Sequence, residues 1–260
     1  MLHYDPVFYD LLHTGNLGDL DFYLNSCKGI ERVLELGCGS GRITTELLKK
    51  NIKVTALDNN PLMLEALKKR AKELTVYNPD NLLIIEASMD APPKTDIIYD
   101  RVIIPYNALL CLTDGDAVKN CFKSAASLLK KKGQLIFDIY NFPTTDDEYD
   151  VCDYNKENFD DIEDCYFLCS SRYKNRVVDI YEKELVTHQW NRFDATYIYK
   201  YTGENNKQII REYTIPQRWY SIAELKNMLR ESGFKDIKVL GDFSDLPISG
   251  NTNQIAFIAG

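Results

Sequence analysis

The chain has 260 residues, enough for one sizeable α/β domain or one domain carrying an insertion. Its 45% hydrophobic content is globular, and no 18-residue apolar run predicts a membrane span. The net charge of −8 argues against a nucleic-acid partner, whose phosphates require a basic face. The start, MLHYDPVFYD, lacks the basic and apolar regions of a secretory signal. The seven cysteines are an odd number without zinc-like spacing. They predict free thiols in a reducing, cytoplasmic setting and no metal site.

Two short helical segments are expected near 5–13 and 18–28. ERVLEL (31–36) then reads as a fully buried strand, followed by a helix over 42–50 and a second strand, KVTALD (53–58). Pro61 sits at the first turn of a helix through about 74, where its missing N–H does no harm. NLLIIEA (81–87) and DRVIIPY (100–106) are the third and fourth strands. Residues 114–133 form an amphipathic helix with acids at its start and lysines and a glycine at its end. QLIFDIYN (134–141) is the fifth strand. Strand and helix alternating in this way predict a parallel sheet covered on both faces.

The rhythm then breaks. Residues 146–164 carry ten acids against one base, Lys156. This run reads as a solvated loop or as a field that draws a cationic substrate. Strands are expected at about 165–173, 176–189, 193–202 and 207–216, separated by turn signals. A helix over 221–233 opens with Ser221 and Glu224 as a capping box. Strands at 235–241 and 253–259 close the chain. The expected organisation is a core of 1–140 and 221–260. Residues 141–220 form a β-rich insertion, lying as a lid over the carboxyl ends of the strands, where open α/β sheets bind ligands.

LELGCGSGR, residues 34–42, is the chemically loaded stretch. A strand, a turn with Gly37, Gly39 and Gly41, and a helix bring backbone N–H groups and a positive helix end beside a ligand. The spacing is G-x-G-x-G, whereas a dinucleotide fold prefers G-x-G-x-x-G. Asp58, at the end of the second strand, suits the ribose hydroxyls of an adenosine in either case.

VLELGCGSGR, VTALDNNPLML, EASMDA and DRVIIPYNALLCL, in this order, resemble the successive motifs of class I S-adenosylmethionine-dependent methyltransferases. The resemblance runs over essentially the whole chain, through a closing SGF–strand–NQIAFIAG segment. In layout it is similar to bacterial small-molecule enzymes such as aminosugar N-methyltransferases, and to glycine N-methyltransferases. It implies a Rossmann-like seven-stranded sheet with a reversed last strand and an antiparallel β insertion after strand five. It implies S-adenosyl-L-methionine as cofactor, a small-molecule acceptor methylated at nitrogen more than at oxygen, and a monomer or homodimer. Residue by residue, Glu35 takes the cofactor's amino group, Gly37 offers its carbonyl, and Cys38, Gly39 and Gly41 shape the turn. Arg42 pairs with the carboxylate and Asp58 holds the ribose. Asn59 and Met63 line the adenine, and Ser88, Met89 and Asp90 meet its edge. Pro105 lies beside the sulfonium, and Tyr4 and Tyr9 belong to an N-terminal segment that folds over the cofactor. Tyr106 and Asn107 touch the substrate. His188 is a candidate base, and Asp138, inside the fifth strand, a candidate orienting group. Tyr140, Asn141, Trp190, Tyr197, Tyr199, Arg218 and Tyr220 are further polar or aromatic groups of the substrate side.

Other classes fare worse. Ile103-Ile104-Pro105-Tyr106 lacks the polar first residue of the motif in DNA amine methyltransferases. A short-chain oxidoreductase needs a Tyr-x-x-x-Lys pair, and no tyrosine here has a lysine four residues later. A non-catalytic S-adenosylmethionine-binding module and a protein methyltransferase stand as alternatives.

Overall fold

A computed structural model describes residues 3–75, 78–141, 165–187, 191–204 and 206–260. His188, Trp190 and the acidic run at 146–164 lie outside the described residues. The chain divides into two compact units: Gly15–Phe142 with Tyr220–Gly260, and Met1–Thr14 with Pro143–Trp219.

The first unit holds α2 (Asp19–Ser26), β1 (Arg32–Leu36), α3 (Arg42–Lys49), β2 (Lys53–Asp58), α4 (Pro61–Lys72), β3 (Leu82–Glu86) and β4 (Tyr99–Ile104). It continues with α5 (Gly115–Leu128), β5 (Leu129–Tyr140), α6 (Ile222–Glu231), β10 (Ile237–Gly241) and β11 (Gln254–Ala259). The strands form one seven-stranded sheet in the order β10-β11-β5-β4-β1-β2-β3. β3, β2, β1, β4 and β5 run parallel, and β11 is antiparallel to both β5 and β10.

Alternation along β1 explains the layering. Leu34 and Leu36 point into a cluster with Val118, Phe122, Leu225 and Leu229 of α5 and α6. Val33 points to the other face, among Tyr23, Ile43, Leu47 and Leu67 of α2, α3 and α4. Burial on both faces is why these strands read as continuous apolar runs. Chain order along the sheet reverses between β1 and β4. Open α/β sheets bind ligands at such a switch point, outside the strands' carboxyl ends.

The helix starts follow cap chemistry. Asn60 accepts from Leu62 N–H with Pro61 next to it, Asp114 accepts from Asp116 N–H, and Ser221 accepts from Glu224 N–H. One boundary moves. The helix expected through Gly133 ends at Leu128, and Leu129–Gly133 is already strand. Tyr99 pairs with Leu129 across β4 and β5, and the Lys130 ammonium sits 2.8 Å from Asp100. Cross-strand pairing thus outweighs the helix propensity of the three lysines.

The second unit contains α1 (Pro6–Leu12) and an antiparallel sheet β6-β7-β8-β9 (Tyr166–Tyr173, Arg176–Thr187, Arg192–Thr202, Gln208–Arg218). Phe8 of α1 packs with Val178, Ile180, Tyr199, Tyr201 and Tyr213. Residues 1–14 therefore group with the inserted sheet, not with the core in which the sequence boundaries put them. The apolar side of α1 has its partners on that sheet.

Candidate active site

The chain leaves β1 at Leu36 and turns tightly. Gly37 and Cys38 donate their N–H groups to the Leu57 carbonyl at 2.8 and 3.0 Å, and Gly41 donates to Cys38. The Gly39 N–H donates to Asp58 Oδ2 at 2.8 Å. These donors were expected to face a ligand; instead they are used inside the turn. A pyrophosphate would need them free, so the turn is unsuited to a dinucleotide. Gly39 itself has φ +54°, and a Cβ there would meet nothing within 4 Å. The turn thus opens on its Gly39 side. Gly41 serves packing: a Cβ on it would stand 2.2 Å from Leu67 Cδ1. Cys38 is buried, and its thiol is directed at the Gly39 carbonyl.

Two carboxylates flank the turn. Asp58 accepts from the N–H groups of Gly39 and Asn60 at 2.8 and 2.9 Å, so its orientation is fixed from both sides. Glu35 is 2% exposed and accepts from the Thr44 hydroxyl at 2.5 Å. Burial pushes its carboxyl up to about 7, against the opposing pull of Thr44 and Arg42. Such a group is ready to ionise when a cation arrives.

The turn after β3 comes next. The Ser88 hydroxyl donates to Asp90, and Met89 is half-buried. A Cβ on Gly37 would stand 2.9 Å from Ala108 Cβ and 3.2 Å from Met89 Cε. The turns that follow β1, β3 and β4 therefore meet at Gly37. Met63 is buried on α4, whereas Asn59 is exposed.

The turn after β4 is strained. Pro105 is buried, and Tyr106 and Asn107 follow with φ +58° and +59°. Two successive non-glycine residues in the left-handed region cost about 1–2 kcal/mol each unless their surroundings hold them there. Asp138 of β5 supplies the hold. Its Oδ1 accepts from Tyr106 N–H at 2.8 Å and its Oδ2 from Asn107 N–H at 3.2 Å. Tyr23 of α2 donates its hydroxyl to the same Oδ1 at 2.5 Å. The Asn107 side chain is 2% exposed, and neither its Oδ1 nor its Nδ2 has a partner among the described residues. A buried carboxamide without partners is a place where a ligand's polar group fits.

Arg42 was expected to meet a cofactor carboxylate. Its two terminal nitrogens are instead held by Asp19 of α2 at 3.0 and 2.5 Å. Its guanidinium lies 5.3 Å from the Tyr106 ring centroid, and the Gly15 backbone hydrogen-bonds the Tyr106 phenol. Asp19, Tyr23 and Thr44 are the residues that sequence reasoning missed. Asp19 and Tyr23 lie on a short helix of weak amphipathicity, and Thr44 on a helix that reads as ordinary packing. Asp138, a lone acid in the apolar run LIFDIY, carried the visible signal, since a buried carboxylate must find donors.

Other candidates serve elsewhere. Tyr220 is buried and donates to the Leu112 carbonyl at 2.5 Å. Asn141 donates through Nδ2 to the Thr252 carbonyl at 2.8 Å. Tyr4 and Tyr9 lie in the unit of the inserted sheet. Tyr4 stacks on Tyr213 with ring centroids 4.5 Å apart, and its hydroxyl is 2.6 Å from that of Tyr199. Tyr9 packs against Tyr4 and His13. On the same sheet Glu182 faces Tyr197 and Glu184 faces Ala195 across β7 and β8. Burial and the neighbouring Glu184 push the Glu182 carboxyl up to about 7, and Tyr197 hydrogen-bonds it. Among the described residues no group of three or more His, Cys, Asp or Glu side chains could hold a metal ion, and no helix is long and apolar enough to cross a membrane.

Residues 33–133 match the family model of the methyltransferase domain. This span contains the glycine turn, Asp58, the β3 turn and the β4 turn. Over this span the chain carries a methyltransferase domain. A Geobacillus sp. (strain WCH70) protein, whose name gives methyltransferase and no substrate, is 26% identical over 89% of this chain and 85% of its own. Human glycine N-methyltransferase is 31% identical over 44% of this chain and 42% of its own. Among solved structures, an S-adenosylmethionine-dependent methyltransferase from Clostridium acetobutylicum ATCC 824 has a TM-score of 0.73 at 16% identity, covering 97% of this chain and 96% of that one. The sugar N-methyltransferase KedS8 from Streptoalloteichus sp ATCC 53650 has a TM-score of 0.71 at 12% identity, covering 99% and 94%. These two likenesses concern the fold.

The residues brought together here suit S-adenosylmethionine. The open side of Gly39 admits a ligand against the backbone. The buried acid of Glu35 complements an ammonium, and Asn107 offers an unpartnered carboxamide.

Proposed function

We propose that this methyltransferase alkylates a nitrogen of a small, amine-bearing molecule. The cofactor supplies an electrophilic methyl group on a sulfonium, with a neutral thioether as leaving group. In this reading Glu35 receives the cofactor's ammonium, and the Gly37 carbonyl and the open face of Gly39 border its amino-acid tail. Asp58 holds the ribose. Asn59, Met63 and the Ser88–Asp90 turn border the adenine. Pro105, Tyr106 and Asn107 lie at the sulfonium end and touch the acceptor. Arg42 steadies Tyr106 through the Asp19 pair, and reaches the carboxylate only by sharing itself with Asp19. Such a site works mainly by alignment, because the leaving group is already good.

The observation that carries the amine reading is the pair Glu182 and Glu184 on the inserted sheet. Both carboxyls are raised by burial, beside a layer of tyrosines. Half-buried carboxylates and aromatic faces are the chemistry that takes an ammonium group. The neighbours named as a sugar N-methyltransferase and an amino pentose methyltransferase, the latter with S-adenosylmethionine bound, support the same class of acceptor.

The test has two stages. Calorimetry with S-adenosylmethionine and S-adenosylhomocysteine should give binding of both; binding of neither sinks the cofactor assignments. Methyl-labelled cofactor is then offered to matched panels of amino sugars, amino acids and their hydroxyl analogues. Label passing to the hydroxyl analogues and not to the amines would refute nitrogen transfer.

A further inference from the structure

The turn after β4 places two consecutive N–H groups in one concavity. A pair of N–H groups so arranged makes an anion-binding nest. Here the chain supplies its own anion. Asp138, fully buried on the next strand, receives Tyr106 N–H on one oxygen and Asn107 N–H on the other. A third donor, the Tyr23 hydroxyl, reaches it from α2. Tyr23 is itself fully buried and also lies 3.4 Å from the Ile104 carbonyl, the last residue of β4. The carboxylate thus ties α2, β4 and β5 together at a place where two consecutive non-glycine residues adopt a left-handed backbone.

The geometry of Asn107 depends on this tie. Its backbone is left-handed, and its side chain is buried without a partner among the described residues. Ala108, next in the chain, lies against the position a Gly37 side chain would take. A small rotation of the turn would redirect the carboxamide and disturb that contact together.

We propose that Asp138, held by Tyr23, is a positioning residue for methyl transfer: it fixes the Tyr106–Asn107 backbone and so aims the Asn107 carboxamide at the sulfonium end of the cofactor. The inference rests on the assignment of that turn to the sulfonium end made above. Asp138 acts through the turn, since two backbone N–H groups and a hydroxyl already engage its oxygens. The groups that face it are Tyr23 and Asp19 of α2 and the two N–H groups of the turn, with Arg42 acting on Tyr23 from α3. Burial raises the Asp138 carboxyl to about 6, and Tyr23 and the two N–H groups work against that rise. The ionised form matches all three donors, and a proton on either oxygen breaks one match.

The test uses the full chain, with S-adenosylmethionine and S-adenosylhomocysteine as probes. These ligands differ only by the methyl and the charge on sulfur, so the ratio of their dissociation constants reads the sulfonium end alone. Asp138→Asn should keep S-adenosylhomocysteine affinity within about threefold while changing the ratio at least fivefold. In parallel, the amide resonances of Tyr106 and Asn107 are followed from pH 5 to 8. The wild type should show a step near 6, which Asp138→Asn abolishes. Tyr23→Phe removes one donor and should move the step to higher pH, with a smaller change in ratio in the same direction. If Asp138→Asn does not fold, Tyr23→Phe decides by the same two readings. A ratio within twofold of wild type in the folded variants overturns the proposal, whether both affinities stay or fall together. If the wild type binds neither ligand, the cofactor assignment itself is wrong and this inference falls with it.

Discussion

The two units bury their polar groups in opposite ways. In the core unit, Glu35, Asp58 and Asp138 are each met by a hydroxyl or by backbone N–H groups at 2.5–3.2 Å. Most of these donors are main chain, so the fold fixes the site and side-chain substitution alters it little. In the sheet unit the buried polar groups are side chains contacting side chains. Tyr4 meets Tyr199 and His13, and Tyr197 meets Glu182. Such a layer can change residue by residue without altering the sheet that carries it. The difference separates a main-chain site that the fold sets from a side-chain layer that is set residue by residue.

The sharpest break in that comparison is Gly39→Val. A β-branched residue at φ +54° is strained by roughly 1–2 kcal/mol, and its methyls fill the open side of the turn. S-adenosylhomocysteine affinity should fall at least ~100-fold by calorimetry, with the unfolding temperature lowered by only a few degrees. Undiminished affinity would mean that the open side of Gly39 is not where the cofactor sits.

Glu35 gives a smaller effect with a definite sign. Its carboxyl is raised to about 7, so below that pH the neutral form prevails, and an incoming ammonium must displace a proton. S-adenosylmethionine binding should therefore tighten as pH rises toward 7, by up to about tenfold per unit, and level off above it. Glu35→Gln should flatten this dependence. Calorimetry in two buffers of different ionisation enthalpy checks the proton release directly. A wild-type affinity that is flat between pH 5.5 and 8 would remove Glu35 from the ammonium.

The sheet unit should respond in the complementary way. Glu182→Gln leaves the core untouched, so S-adenosylhomocysteine affinity should stay within about twofold. The KM for the best amine found in the labelled panel should rise about tenfold, the scale of one lost charge-assisted hydrogen bond. Weakened cofactor binding in this variant would contradict the division between the units.

How much of this was legible follows from the same contrast. Parallel strands buried on both faces announce themselves as apolar runs, so β1, β2 and β4 and the glycine turn stood out in the sequence; β3, at the sheet edge and only partly buried, stood out by its apolar residues alone. The start of β5 did not, because Lys130–Lys132 look helical until the pairing of Leu129 and Gln134, on either side of them, with β4 is known. Asp58 was legible as an acid at a strand end, and Glu35 through the resemblance of the motif that holds it. The use of the glycine turn's N–H groups inside the turn was not, because it depends on the Leu57 carbonyl and the Asp58 carboxylate meeting them from β2. Nor was the Asp19–Arg42 pair, which joins residues 23 apart in sequence. Long-range pairing of polar side chains leaves no periodicity to read. For the same reason the partners of Tyr4 on β8 and β9 could not be read from the sequence.

The smallest expected effect separates the two kinds of burial at single-hydroxyl scale. Tyr199→Phe removes the hydroxyl 2.6 Å from Tyr4, yet Tyr4 keeps His13 Nε2 at 3.2 Å as a second partner. Tyr99→Phe in the core removes the hydroxyl that donates to Thr55 at 3.0 Å. That bond is buried, and Thr55 is 4% exposed. A lost hydrogen bond costs about 0.5–1.5 kcal/mol, and more where the remaining partner is left unsatisfied. Tyr199→Phe should therefore fall at the low end of that range and Tyr99→Phe at or above its top. Because two compact units need not unfold together, amide hydrogen exchange is the measurement to use. Protection should drop only in β7–β9 for the first variant and only in the seven-stranded sheet for the second. A loss shared by both sheets in either variant would mean that the units unfold as one, and the comparison would then have to be drawn between sites and not between units.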